Sequence, residues 1–316
     1  MIKRIIAISC CTLVTILFTN IPVSADVGGS FQIGNAPTID SITGPTSMSP
    51  TAEQTVTINT TSSGTVSAMT FKTWYDSDGG APTLLEYSNV AADTQICAII
   101  TWNGSSFSIS PSGGSTTWSL GTCQNNNGDF TLKFTPGKVA TETTGSAKWQ
   151  MGVNVTDEFG NTGPEFNASP PDMNLRTEIS TVTGSVSWDT VPKGLAFGDG
   201  TASQQALGIT INIISNGNYD LRAACSTPWA GSGANANLDA TGNCSVAQQF
   251  AIKIDNGTAQ SSAILVGSSA IEIETGTITG ESGTDYSQIN LWLKLASSFT
   301  VTSYSGTITF TATNDT

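Results

Sequence analysis

The feature that most constrains this chain is a two-residue rhythm of apolar side chains. In residues 147–155, Ala147, Trp149, Met151, Val153 and Val155 alternate with Lys148, Gln150, Gly152 and Asn154. An extended backbone turns successive side chains to opposite faces, so this segment predicts a strand with one buried and one wet face. The rhythm recurs in residues 55–58, 66–75, 130–134, 207–213, 250–254, 289–295 and 308–312, with clusters of Gly, Asn, Ser and Pro between the runs. No segment beyond residue 25 sustains a helical period. The expected fold is all-β, with two tandem antiparallel β-sandwiches of about seven strands each.

The amino terminus predicts export. Lys3 and Arg4 precede an almost wholly apolar run over residues 5–18, and Val23-Ser24-Ala25 offers the small residues a signal peptidase reads. A signal peptide over residues 1–25, removed before Asp26, follows from that layout. The run falls short of the about 20 apolar residues that span a bilayer, so the mature chain is expected to carry no membrane span. Residues 26–35 form a Gly-containing lead-in. Pro164, Pro170 and Pro171, with Gly163 and Asn167, mark a linker over residues 164–177. The first sandwich is then expected at residues 36–163 and the second at residues 178–316.

Charge and histidine narrow the function. The chain has 24 acidic and 11 basic residues, and removal of Lys3 and Arg4 would take its formal net charge from −13 to −15. Such a surface repels a polyanion, which speaks against nucleic acid as a partner. Only 11% of residues are charged, so Ser, Thr, Asn and Gly must cover the surface, as they do in exported β-proteins. Histidine is absent. That removes His-dependent nucleophile activation, His-ligated metals and the usual acid–base group at neutral pH.

Four cysteines follow the signal: Cys97, Cys123, Cys225 and Cys244. An even number in an exported chain predicts disulfides. Of three possible pairings, Cys97–Cys123 with Cys225–Cys244 keeps each bond inside one sandwich, where it would contribute about 3 kcal/mol. The spacings lack the Cys-x-x-Cys element of a thiolate metal site.

Residues 153–162, Val-Asn-Val-Thr-Asp-Glu-Phe-Gly-Asn-Thr, resemble the closing strand and turn of Ig-like repeats in secreted and cell-surface proteins of bacteria and archaea. Phe134-Thr135-Pro136-Gly137-Lys138 ahead of Trp149 is similar to the late strands of that family. The second half, through Asn216-Gly217-Asn218-Tyr219-Asp220-Leu221 and the run from Tyr304 to Ala312, resembles sandwich domains near the carboxyl ends of exported prokaryotic proteins. The resemblance implies an Ig-like fold and life outside the cell or on its surface. It carries no catalytic residue across.

Candidate sites are few. Asp76-Ser77-Asp78-Gly79-Gly80 places two carboxylates in a tight loop that reads as half of a calcium site, with Glu86 offset from the closing position, or as a polar turn. Asp157 and Glu158 offer oxygens to a calcium ion at a domain junction, or cap a turn. Neither pair outlines the cleft that glycoside hydrolysis needs, so no enzyme is expected. Trp149 follows the apolar face of its strand and belongs in a core. Trp292 is out of phase with Leu291 and Leu293 and should point to solvent or a partner, and Trp229 falls in a loop near Cys225. These two are the candidates for a sugar-stacking surface. Several Asn-x-Ser/Thr sequons permit glycosylation without indicating it.

Together these observations lead to a non-catalytic structural or adhesive protein, secreted or held at a cell surface. Its partners would be a cell-envelope component, a glycan or another surface protein. One alternative is a carbohydrate-binding module acting through Trp229 or Trp292. Another is an extracellular filament subunit that adds a strand to its neighbour, with residues 26–35 as the donated segment.

Overall fold

In the computed structural model, alternation along the sequence becomes pairing between strands. Residues 34–114, 116–198, 204–257, 259–279, 285–300 and 303–315 are described. The expected signal peptide, and the lead-in up to residue 33, lie outside them. Among the described residues the fold is almost wholly β, with several antiparallel sheets.

The N-terminal half supplies β1 (Thr38–Thr43), β2 (Gln54–Thr61), β3 (Val66–Asp76), β4 (Cys97–Trp102), β5 (Phe107–Ser110), β6 (Asp129–Thr135) and β7 (Lys148–Asp157). Sheet I has the order β1-β2-β6, and sheet II the order β7-β3-β4-β5. The register between β3 and β7 sets Val153 opposite Phe71 and Val155 opposite Met69. Ala147, Trp149, Met151, Val153 and Val155 are all buried, as their rhythm predicts, but the face expected to be wet is covered in its middle: Gln150 and Gly152 are buried too, with Tyr87 and Phe166 against Gly152.

Trp149, Met151, Val153 and Val155 meet Val56 and Ile58 of β2 and Phe130, Leu132 and Phe134 of β6 in one core between the two sheets. Trp118 closes it, 5.3 Å from the Trp149 ring and 5.9 Å from Phe134. Each such fully buried side chain contributes about 1.5–3 kcal/mol.

One short helix, α1 (Leu84–Asn89), was not legible as a period. Six residues are too few to show one. Its start is nevertheless written in the sequence as a capping box: Thr83 Oγ1 accepts from the Glu86 amide, and Glu86 Oε2 accepts from the Thr83 amide. Glu86 therefore caps a helix rather than closing a calcium loop. The helix lays Tyr87 beside Trp74 and Cys97, in a second small core apart from the one between the sheets.

The C-terminal half supplies β8 (Thr177–Thr183), β9 (Gln205–Ser215), β10 (Tyr219–Cys225), β11 (Gln249–Asp255), β12 (Ile271–Gly276), β13 (Asp285–Leu295) and β14 (Ile308–Asn314). Sheet III has the order β8-β9-β13-β11, and sheet IV the order β12-β10-β14. Ile209, Ile211, Ile213, Leu221, Ile252, Ile254, Ile289 and Leu291 form their common core.

The two halves are bonded end to end. The Pro-containing stretch 164–177 is hydrogen-bonded onto the N-terminal half, where Glu165–Phe166 pairs with β7 and Asp172–Met173 runs parallel to Ser47–Met48. Asn216 then acts as the fastener. It is fully buried, and its Nδ2 donates to the carbonyls of Ala140 at 2.7 Å and Asn174 at 3.0 Å. Its Oδ1 accepts from the Arg176 amide at 2.6 Å, and its carbonyl accepts from the Glu142 amide at 2.8 Å. Lys138 and Arg176 both reach the Glu178 carboxylate beside it. The sequence marks residues 216–218 as a turn, and only the assembled halves reveal the second role.

Candidate functional site

The two cores differ in how well they are closed. In the N-terminal half, inward residues such as Val56, Ile58, Phe71, Leu132 and Val153 are 0% exposed. In the C-terminal half, Ile308, Phe310 and Ala312 of β14 face inward yet remain only partly buried, and Val182 of β8 is 50% exposed. β8 runs close to β14, and toward Gly184 and Ile308 the two sheets part, leaving a cleft of about 1160 Å³. That exceeds the ordinary range of ligand pockets, about 300–1,000 Å³.

Three elements build its walls. Sheet III contributes Ile179, Ile209, Phe250 and Leu293, and β14 contributes Ile308 and Phe310. Beyond Gly184 the chain leaves the strand ladder of sheet III, Val186, Trp188 and Val191 pack against the core from the rim, and Lys193 then bridges to Leu295 of β13. Trp229 forms the inner wall, its ring 4.6 Å from Phe250 and 6.3 Å from Trp188. Gly306 permits this, since a Cβ there would come within 2.0 Å of the indole. Polar groups, among them Ser187, Asp189, Lys193 and Thr307, complete the lining.

The cleft lies toward one pole. The Asn314 end of β14 shares a small pocket with Tyr75 and Glu142 of the N-terminal half, whereas Ile308 is at the opposite end of that strand. The cleft is lined from the Ile308 end and therefore opens away from the junction. One edge of β14 is paired to β10, and among the described residues no strand pairs its other edge.

Neither candidate tryptophan is an exposed platform. Trp229 is 9% exposed and belongs to the core, and Trp292 is 0% exposed. The phase of Trp292 was readable, because it does face away from Leu291 and Leu293. Its face is covered, however. The chain rounds the end of β13, where the Gly194 amide donates to the Leu295 carbonyl, and brings Phe197 across the outer side of sheet III. There Lys253 and Lys294, which share that face with Trp292, set their ammonium groups 5.4 Å and 5.8 Å from the Phe197 ring.

The four cysteines are free thiols, which corrects the expected bonds Cys97–Cys123 and Cys225–Cys244. In each pair a sheet stands between the partners. On β4 the core side is taken by Ala98, Ile100 and Trp102, so Cys97 faces outward to Trp74 and Tyr87 while Cys123 packs on the core. Cys225 is in the core between sheets III and IV, and Cys244 lies against Ala251 and Ala296 on the outer side of sheet III. Burial pushes the Cys97 thiol up to about 12, and Cys225 and Cys244 each to about 11. The partly exposed Cys123 is also raised by burial, against the hydrogen bond from the Lys133 amide.

The acidic candidates are engaged in local turns. Asp76 Oδ1 accepts from the Asp78 amide and its Oδ2 from Gln150, while Asp78 Oδ1 accepts from the Gly80 amide. Asp157 Oδ1 accepts from the Phe159 and Gly160 amides, and its Oδ2 from the Ser62 hydroxyl at 2.6 Å. Burial pulls the Asp157 carboxyl up, but those three donors outweigh it and hold the group below its ordinary 3.8. Gly160, with φ of 144°, supplies the backbone freedom of that turn. Glu158 points to solvent beside Gly64. These are the hydrogen bonds of turn caps.

The sequence matches no protein-family model, and no relative is found among curated proteins.

Proposed function

We propose that this chain is a non-catalytic structural or adhesive protein, exported by a signal peptide over residues 1–25 and built from two Ig-like sandwiches in tandem. In this reading the second sandwich binds an extended apolar segment of a partner in the cleft between β8 and β14. The observation that carries it is the conjunction of half-buried inward side chains, Ile308 and Phe310, with an unpaired edge on the same strand. A strand laid there would satisfy both needs at once, giving main-chain hydrogen bonds to the edge and apolar cover to the interior.

The want of histidine and the use of Asp76, Asp78 and Asp157 in turns favour a binding role over a catalytic one. Two measurements test the proposal. Fractionation of native cells, with mass spectrometry of the mature amino terminus, is expected to find a chain beginning at Asp26 in the envelope or the medium. An uncleaved chain confined to the cell interior would refute export. Second, Val182→Glu is expected to abolish uptake of an apolar fluorescent dye by the purified mature chain. Equal uptake by both forms would refute an accessible cleft.

A further inference from the structure

We infer that the cleft is filled by residues 26–35 of a second copy of this chain, laid as an additional strand along the free edge of β14. The inference rests on the reading above, namely that the mature chain starts at Asp26 and that the cleft takes an extended segment.

Three observations select this occupant. The first is pattern. In Asp26-Val27-Gly28-Gly29-Ser30-Phe31-Gln32-Ile33, an extended backbone places Val27, Gly29, Phe31 and Ile33 on one side and Gly28, Ser30 and Gln32 on the other. The apolar side suits the walls formed by Phe250, Leu293, Ile308 and Phe310, and the small polar side suits solvent. The second is length. β14 is seven residues long, its Asn314 end faces the junction and the cleft borders it at Ile308 and Phe310, so the short run that carries Phe31 and Ile33 is long enough to meet it.

The third is polarity of the fold. Asn35 is anchored by its amide to Ser63 Oγ, near the turn after β7, where Asp157 holds Ser62. The junction with the C-terminal half lies at the other end of β7, where Lys148 pairs with Asp172 and the Trp149 amide donates to Pro171. At about 3.3 Å per residue, the nine steps of β7 alone separate these ends by roughly 30 Å. The cleft lies farther still, toward the Ile308 end of β14. Residues 26–34, fully extended, reach about 30 Å. A segment tethered at Asn35 therefore falls short of its own cleft, because that anchor lies at the pole opposite to it. A donor at one pole and an acceptor at the other make a heterologous contact that repeats head to tail, giving chains of subunits rather than closed dimers.

The experiment compares the mature chain with a form lacking residues 26–33, by sedimentation velocity over a range of concentrations. The mature chain is expected to form a ladder of oligomers, and the shortened form to remain monomeric. A synthetic peptide of residues 26–35 should then bind the shortened form and shift the emission of Trp188 and Trp229. Peptide carrying Phe31→Asp and Ile33→Asp should bind at least about tenfold more weakly, as should native peptide tested on the Val182→Glu variant of the shortened form. Far-UV circular dichroism confirms that this variant is folded.

A mature chain that stays monomeric, or oligomers that survive removal of the segment, overturns the inference. So does equal binding to the Val182→Glu form. Uptake of an unrelated alternating apolar peptide, with none of residues 26–35, sinks self-donation and leaves the cleft as a strand-receiving site. Uptake of no probe at all overturns both readings.

Discussion

Asn216 shows how much one buried amide can hold. Its side chain, carried by the C-terminal half, satisfies two carbonyls and one amide of the N-terminal half and the 164–177 stretch bonded to it, and it is fully buried. Truncation would leave those groups without their partner. Asn216→Ala is accordingly expected to lower stability by about 2–4 kcal/mol, read as a drop in the urea midpoint. An unchanged midpoint would mean that the halves are held by other contacts. The thiols give a second test. Buried thiols with raised pKa values are poor nucleophiles, so an alkylating reagent applied to the native chain should label Cys123 first and spare Cys97, Cys225 and Cys244 until it unfolds. The intact mass should show four labels after denaturation with or without reductant. Two labels fewer without reductant would indicate a disulfide.

At the scale of elements, the contrast between β2 and β14 is the informative one. Both carry inward apolar residues in alternation, but Ile58 is sealed between two sheets while Ile308 borders the cleft. The cost of truncation depends on how many neighbours lose contact. Ile58→Ala should therefore cost about 3–4 kcal/mol and Ile308→Ala about 1 kcal/mol in thermal or denaturant unfolding of the monomer. Equal losses would mean that the cleft is closed in solution. The elements themselves were largely legible. Residues 147–155 and 289–295 wrote their strands in two-residue steps, since the β backbone imposes that step on every neighbour. The fate of Val186 and Trp188 was not. They continue the apolar pattern of β8, yet after Gly184 the chain leaves the sheet and no strand pairs with them among the described residues.

For the whole molecule, the junction between halves contributes to the response to acid, alongside the depressed carboxyls of Asp157 and Asp239. Burial pulls the Glu178 carboxyl up, but the hydrogen bond and charge of Lys138 together with Arg176 outweigh it and hold the group below its ordinary 4.5. A depressed carboxyl contributes stability above its unfolded pKa and loses it as pH falls through the folded value. Glu142, raised by burial alone, has the opposite sign and is relieved on protonation. Stability is thus expected to fall as pH drops below about 4.5, and Glu178→Gln should flatten part of that limb by no more than about 1 kcal/mol, because the bridge is partly exposed. Urea midpoints from pH 7 to pH 3 would reveal it. An identical acid limb in the variant would place the acid sensitivity elsewhere.

What the sequence determined by itself was local: that the chain is made of strands, and which side chains share a face. Trp149 and Val153 were assigned to a core by phase alone, and Trp292 to the face opposite Leu291. What covers a face is decided by segments far away in the chain, and the tertiary structure alone could decide it. Phe197 crosses the outer side of sheet III near Trp292, a sheet stands between Cys97 and Cys123, and among the described residues nothing comparable seals Ile308 and Phe310. Backbone geometry repeats every two residues and leaves its mark in the sequence. Coverage comes from long-range packing, which has no period to read.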